Sequence, residues 1–323
     1  MPGFTTHYIF GMKAYNDMPF TPLKHTIAKY RWLYQLGLQG PDMFFYNIPI
    51  LRHRDYRNVG SYMHEHKVNA FFECCLRRIG TIRSRQQQEE AISYLAGFMN
   101  HYIADSICHP YVYGRIGYPV DAPTSMHHGM HAHLENELDA ILLWKYKKKK
   151  PSEFNQTATI CLNGQEIQFI SHFLASCINE TYYPITYRNN FQVTPAMVHR
   201  SIWALRFGCR TLSDKNGKKK FGIAQVESIF VNHPVASAKM VTDSVTDYRS
   251  SCNLNHEAWG NPWDPTRVST ASFVDLFHET LDKCSRVYAL LNSAVTDNMP
   301  LDKQDLSPLL AELGNESYHS GLP

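Results

Sequence analysis

The chain has 323 residues, 44% of them hydrophobic and 19% charged, a composition that permits one large buried core and excludes a disordered chain. A formal net charge of +3 over that length is too small to draw the protein to nucleic acid, so no stable nucleic-acid complex is expected. No run of 18 apolar residues occurs, and no transmembrane segment is expected.

At the amino end, MPGFTTHYIFGMKAY has no basic segment followed by an apolar stretch and a small-residue cleavage site, which predicts a cytoplasmic protein. The eight cysteines (74, 75, 108, 161, 177, 209, 252 and 284) include no CxxC pair and read as reduced, mostly buried thiols. Apolar periodicity predicts helices over 7–17, 22–37, 62–79, 86–109, 130–147, 168–180, 195–213, 224–248 and 270–296. The fold class is therefore all-α. Gly40-Pro41 and Gly260-Asn261-Pro262 are the clearest breakers. Asn163-Gly164, set between two short alternating segments in TATICLNGQEIQF, predicts one small β-hairpin. The lysine runs 147–150 and 218–220 read as solvated helix ends or loops. Residues 1–298 are expected to form a single helical domain, and 299–323 a polar C-terminal tail with a short helix and a frayed end.

The 17 histidines are the unusual number, because imidazole is the commonest side-chain metal ligand near neutral pH. In YLAGFMNHYIADSICHPYVYG, His101, Asp105 and His109 stand four apart and share one face of a helix. Their neighbours Leu95, Phe98, Ile103, Ile107 and Tyr111 leave that face no ordinary charged company. A buried histidine and carboxylate are costly unless they are paired or hold a metal ion. In HHGMHAHLENELDAILLW, His131 and Glu135 repeat the spacing and Asp139 continues the row, while His133 and Glu137 form a competing pair. Two such helices can gather His109, His131 and Glu135 around one ion. Three isolated candidates lie upstream: His7, Asp42 after Gly40-Pro41, and His64 or its rival His66. Together these are the neutral imidazoles and hard carboxylates that a multinuclear hydrolytic site uses.

In the order THYIFG, GLQGPDMFFY, MHEHKVNAFF, the HxxxDxxxHP string from His101 to Pro110, and HxxxENELD from His131 to Asp139, the first 150 or so residues resemble the zinc-dependent phospholipase C family. The resemblance is to its intracellular bacterial branch of metal-dependent hydrolases, with the single-strand-specific zinc nucleases as relatives. It implies a compact helical phospholipase C/nuclease-like fold and a cofactor of two or three Zn2+ ions. It implies that Asp42, His64 and His101 hold one ion, that His109, His131 and Glu135 hold a second, and that Asp105 bridges ions. His7 would hold the third, which in secreted relatives is also bound by the free amino terminus. No tryptophan lies near the start of this chain, a departure from that pattern. The implied reaction is hydrolysis of a phosphate ester, a phospholipid among the candidates, by a metal-bound hydroxide with Asp42 and Asp105 as catalytic carboxylates. The alternatives are a nuclease or small-molecule phosphoesterase on the same site, or a non-catalytic metal-stabilised binding protein. Downstream, NHEAWGNPWDP resembles a further motif of the same branch, and the simplest reading of its Trp259 is a residue packed on the core.

Overall fold

The computed structural model describes residues 3–46, 59–182, 192–214, 216–230 and 237–323. They are mostly helical: α1 (Phe4–Asp17), α2 (Pro22–Lys29), α3 (Arg31–Gly37), α4 (Val59–Glu65), α5 (Val68–Thr81), α6 (Arg85–Arg115), α7 (Ser125–Lys147), α8 (Gly164–Tyr182), α9 (Pro195–Leu212), α10 (Lys218–Phe230), α11 (Phe273–Thr296) and α12 (Ser307–Leu313). A 3-10 helix, Gly40–Tyr46, follows α3. Two short strands, β1 (Trp259–Asn261) and β2 (Asp264–Ser269), pair antiparallel. None of these helices is long and apolar enough to cross a membrane.

Helix α6 is the axis of the molecule. Ser84 caps it by accepting the Gln87 N–H, and every residue from Glu90 to Ser106 is buried, the pattern of a helix enclosed on all sides. Helices α1, α2, α3, α5 and α11 all pack against it. Side chains such as Leu95, Phe98 and Ile103 are fully buried, each contributing about 1.5–3 kcal/mol. The α3–α6 crossing is close because both helices present glycine. A Cβ on Gly37 would stand 2.1 Å from the Tyr94 carbonyl oxygen, and one on Gly97 2.1 Å from that of Tyr34. Tyr34 ties the same layer to its neighbours: its hydroxyl donates to the Gly11 carbonyl (2.8 Å) and lies 3.0 Å from the Tyr288 hydroxyl.

Several local expectations change. Residues 22–37 form two helices that meet at Tyr30, and 59–81 form two that meet at Lys67, whose φ of 53° is left-handed. The expected hairpin around Asn163-Gly164 is instead the start of α8. Asn163 Oδ1 accepts the Glu166 N–H (2.9 Å), and the Glu166 carboxylate accepts the Asn163 N–H (2.8 Å), a reciprocal cap that outcompetes a turn. The one hairpin among the described residues lies at 259–269. The helix expected over 224–248 runs over Lys218–Phe230; residues 231–236 lie outside the described residues. All eight cysteines are free. The end expected to fray packs inward: Leu313 and Tyr318 are buried.

Candidate metal centre

Helix α6 presents His101, Asp105 and His109 on one fully buried face. Three histidines around this face are oriented the same way. His101 Nδ1 lies 3.1 Å from the Leu38 carbonyl, His64 Nδ1 2.6 Å from that of Gly60, and His109 Nδ1 2.8 Å from that of Tyr318. A carbonyl oxygen can only accept, so in each ring Nδ1 carries the proton and Nε2 is left with its lone pair facing inward. The approach that gives His101 its partner depends on the glycines of the α3–α6 crossing and on Gly40. With φ of +46°, Gly40 turns the chain from α3 into the 3-10 helix, and a Cβ there would lie 2.2 Å from His101 Cδ2. Asp42 follows on that 3-10 helix and is buried.

Asp105 sits between the imidazoles. Its Oδ2 is 3.1 Å from His101 Nε2 and 3.7 Å from His64 Nε2, while its Oδ1 is 3.1 Å from His7 Nε2 and 3.7 Å from His109 Nδ1. Asp42 Oδ1 is 3.2 Å from His64 Nε2 and 3.8 Å from His101 Nε2. On α7, His131 Nε2 is 2.6 Å from Glu135 Oε1, which lies 3.8 Å from His109 Nε2. Two groups therefore have ligand atoms close enough to surround one ion each: Asp42, His64, His101 and Asp105, and His109, His131 and Glu135. His7 falls in neither group but stacks on His101 at 4.0 Å.

Burial sets the electrostatics. It lowers the pKa of His7, and it holds His109 and His131 well below the ordinary imidazole value, which favours the neutral form that donates a lone pair. Burial also pushes the Glu135 carboxyl well above its usual range. For Asp105 burial acts upward too, but His109, His101 and His7 outweigh it and hold the carboxyl well below its usual value. On His101, burial acts downward and the carboxylates of Asp105 and Asp42 reverse it.

Of the two histidines on MHEH, His64 enters the site. His66 is largely exposed, beside Glu65. His133 lies 3.6 Å from Glu137, which accepts from Thr246 N–H and Ser251 Oγ–H, away from the cluster. Asp139 accepts the backbone N–H groups of Thr5 and Thr6 at 3.1 and 2.7 Å. It thereby caps α1 from α7, and α1 carries His7. Trp259 packs edge-on against Tyr111 and donates to the Ala271 carbonyl, a structural role, and His256 is exposed. Tyr318 and His319 also reach the site, which the spacing of histidines and carboxylates does not indicate. The His319 ring lies 5.1 Å from that of His64 and nearly parallel to it, and its Nδ1 is 3.2 Å from the Tyr113 hydroxyl. The only sequence signal is a Tyr-His pair in the segment after residue 298.

A cleft of about 670 Å³ borders Asp42 and Glu135, one residue from each group. Phe45, Tyr46, Trp203 and Phe207 give it an apolar wall, and Arg200 and Lys239 supply cations.

The donor set fits zinc. Nε2 of His64, His101 and His109, Oδ1 of Asp42 and both oxygens of Asp105 are buried without a well-formed hydrogen bond. Buried polar atoms in that state are costly unless an ion completes them, and imidazole with carboxylate is a zinc donor set. A family model described as zinc-dependent phospholipase C matches residues 6–186. Comparison with curated proteins and with solved structures gives no match.

Proposed function

The chain belongs to the zinc-dependent phospholipase C family, and from that premise we propose that it is a zinc-dependent phosphodiesterase acting on a phosphate diester with an apolar substituent. Asp105 carries the reading. Its two oxygens face different partners, one toward His101 and His64 and the other toward His7, as a carboxylate shared between ions requires. In this assignment Asp42, His64, His101 and Asp105 hold one zinc ion, and His109, His131 and Glu135 hold a second. His7 with Asp105 marks a third position. Bound zinc supplies Lewis-acid stabilisation of phosphoryl oxygens and lowers the pKa of water toward neutrality.

The chain's own residues do the rest. Arg200 and Lys239, on the cleft beside the two groups, hold the phosphate charge. The wall of Phe45, Tyr46, Trp203 and Phe207 takes the apolar substituent and excludes water from one side. Asp42, at the cleft margin, accepts a proton while it also holds metal. The cleft borders one carboxylate residue of each group, Asp42 and Glu135, which favours an enzyme over a sealed structural centre. Its wall favours an apolar ester over a polyanionic strand.

The test is zinc analysis of the purified chain, followed by turnover of phosphatidylcholine in mixed micelles, a chromogenic phosphodiester, a monoester and single-stranded DNA. Diester cleavage that chelation abolishes and zinc restores is expected. Less than one zinc per chain, or cleavage confined to DNA, would overturn the reading.

A further inference from the structure

We propose that the C-terminal segment Glu316–Leu322 is a strap that positions one ligand in each metal group, an inference that rests on the metal reading above. Tyr318 is the pivot. Its carbonyl accepts the His109 Nδ1–H at 2.8 Å, and its N–H donates to the His64 carbonyl at 2.9 Å. One residue of the strap thus fixes the ring orientation of His109, in the group with His131 and Glu135, and the backbone of His64, in the group with Asp42 and His101. Outer partners of this kind set the tautomer and aim of a ligating histidine. The Tyr318 ring itself is buried 4.8 Å from that of His64 and 4.8 Å from that of Tyr102.

The strap is seated along one face of α6. The Glu316 carboxylate accepts from the Tyr102 hydroxyl (2.7 Å), whose oxygen accepts the Glu316 N–H (2.9 Å). Further on, Gly321 meets α6 where Pro110 removes the donor that the Ser106 carbonyl would otherwise receive. There φ is +61°, and a Cβ would lie 2.5 Å from the Ser106 oxygen. Away from α6, Asn261 on β1 donates to the Ser320 carbonyl at 2.8 Å. These anchors hold His319 against the site, its ring 5.1 Å from His64 and 5.7 Å from His109. A segment whose backbone touches ligands of both groups, and whose glycine admits no side chain, is part of the centre rather than a loose end.

Two variants test this without altering a metal ligand: a full chain carrying Gly321→Ala, and a chain ending after Asn315. Zinc stoichiometry and affinity are measured by chelator competition, and the His109 tautomer by ¹⁵N spectroscopy of the zinc-free protein. The parent should bind zinc at both groups and show His109 as a single Nδ1–H tautomer. Both variants should lose about tenfold to hundredfold in zinc affinity at each group and show His109 as a mixture of tautomers. Parental affinity and tautomer in the Gly321→Ala chain, or a loss confined to one group, would overturn the proposal. If the shortened chain does not fold, the Gly321→Ala chain decides alone. A parent that takes up no zinc would overturn the metal reading itself, and that is seen before any variant is made.

Discussion

Replacing Gly40 by alanine should weaken zinc binding at one metal group while leaving the helical core intact. The added Cβ would stand 2.2 Å from His101 Cδ2 and 2.7 Å from its Nε2. Carbon atoms rest at about 3.5–4.0 Å, so the ring or the 3-10 helix must recede by roughly 1.3–1.8 Å. Metal–ligand distances tolerate about 0.2 Å, so His101 would no longer coordinate. The φ of +46° adds about 1–2 kcal/mol of backbone strain for a residue with a Cβ. The expected variant binds zinc weakly at the Asp42, His64, His101 and Asp105 group, retains it at His109, His131 and Glu135, and melts at a lower temperature. Gly222→Ala is the control: α10 is helical there and nothing lies within 4 Å of a built Cβ, so stability should stay level or rise by about 0.4–1 kcal/mol. Chelator competition and thermal melts in EDTA separate metal loss from strain. Full zinc affinity in the Gly40→Ala chain would refute the placement of His101 in the group.

The clustering of His101, Asp105 and His109 was legible because a helix converts a spacing of four into adjacency, and the enclosing apolar residues showed that the face was buried. His131 and Glu135 followed by the same rule. The choice of His64 over His66 was not legible. Both sit on the same short stretch, and what separates them is the end of α4 at Glu65, which leaves His66 outside. By spacing Asp139 continues the row of His131 and Glu135, yet its oxygens are taken by the Thr5 and Thr6 N–H groups, donors that no side-chain pattern reveals. Backbone partners hide equally well at the other end of the chain. Polar composition after residue 298 predicted fraying, but Leu309, Leu313 and Tyr318 are enough to bury the segment, and its main effect on the site passes through the Tyr318 peptide groups. The misplaced hairpin has a different cause. Asn163-Gly164 satisfies a turn signature, but Asn163 with Glu166 also satisfies a helix cap, and only the cap comes with the apolar face of α8.

Asp105→Asn keeps size while removing the charge that lets two dications share one side chain; it should fold, retain the ion at His109, His131 and Glu135, and lose nearly all diester turnover. Wild-type turnover by that variant would refute the shared-carboxylate mechanism. His66→Ala should change stability by no more than about 0.5 kcal/mol and leave zinc content intact, whereas His64→Ala should lose an ion; equal zinc loss in both would reverse the assignment. The last prediction concerns Asp139 in the zinc-free protein. Burial raises its carboxyl pKa from 3.8 to about 6, so the native state holds a proton there that the unfolded chain has released. Between about pH 4 and 6 the native state therefore binds more protons, and this group's contribution to stability falls as pH rises through that window and stays low above it. A shift of that size corresponds to about 3 kcal/mol, taken as an order of magnitude. Asp139→Asn keeps only one oxygen, so one of the Thr5 and Thr6 N–H groups, which bond to different carboxylate oxygens, loses its acceptor at every pH. The variant cannot ionise, so the variant minus parent difference in unfolding free energy should still rise by up to about 3 kcal/mol between pH 4 and 7. Asp139→Ala should destabilise at every pH, by about 1–3 kcal/mol for each N–H left without an acceptor. Urea melts of the three chains in EDTA across that range check both, and a difference between parent and Asp139→Asn that does not change with pH would show that the carboxylate keeps its ordinary pKa at the start of α1.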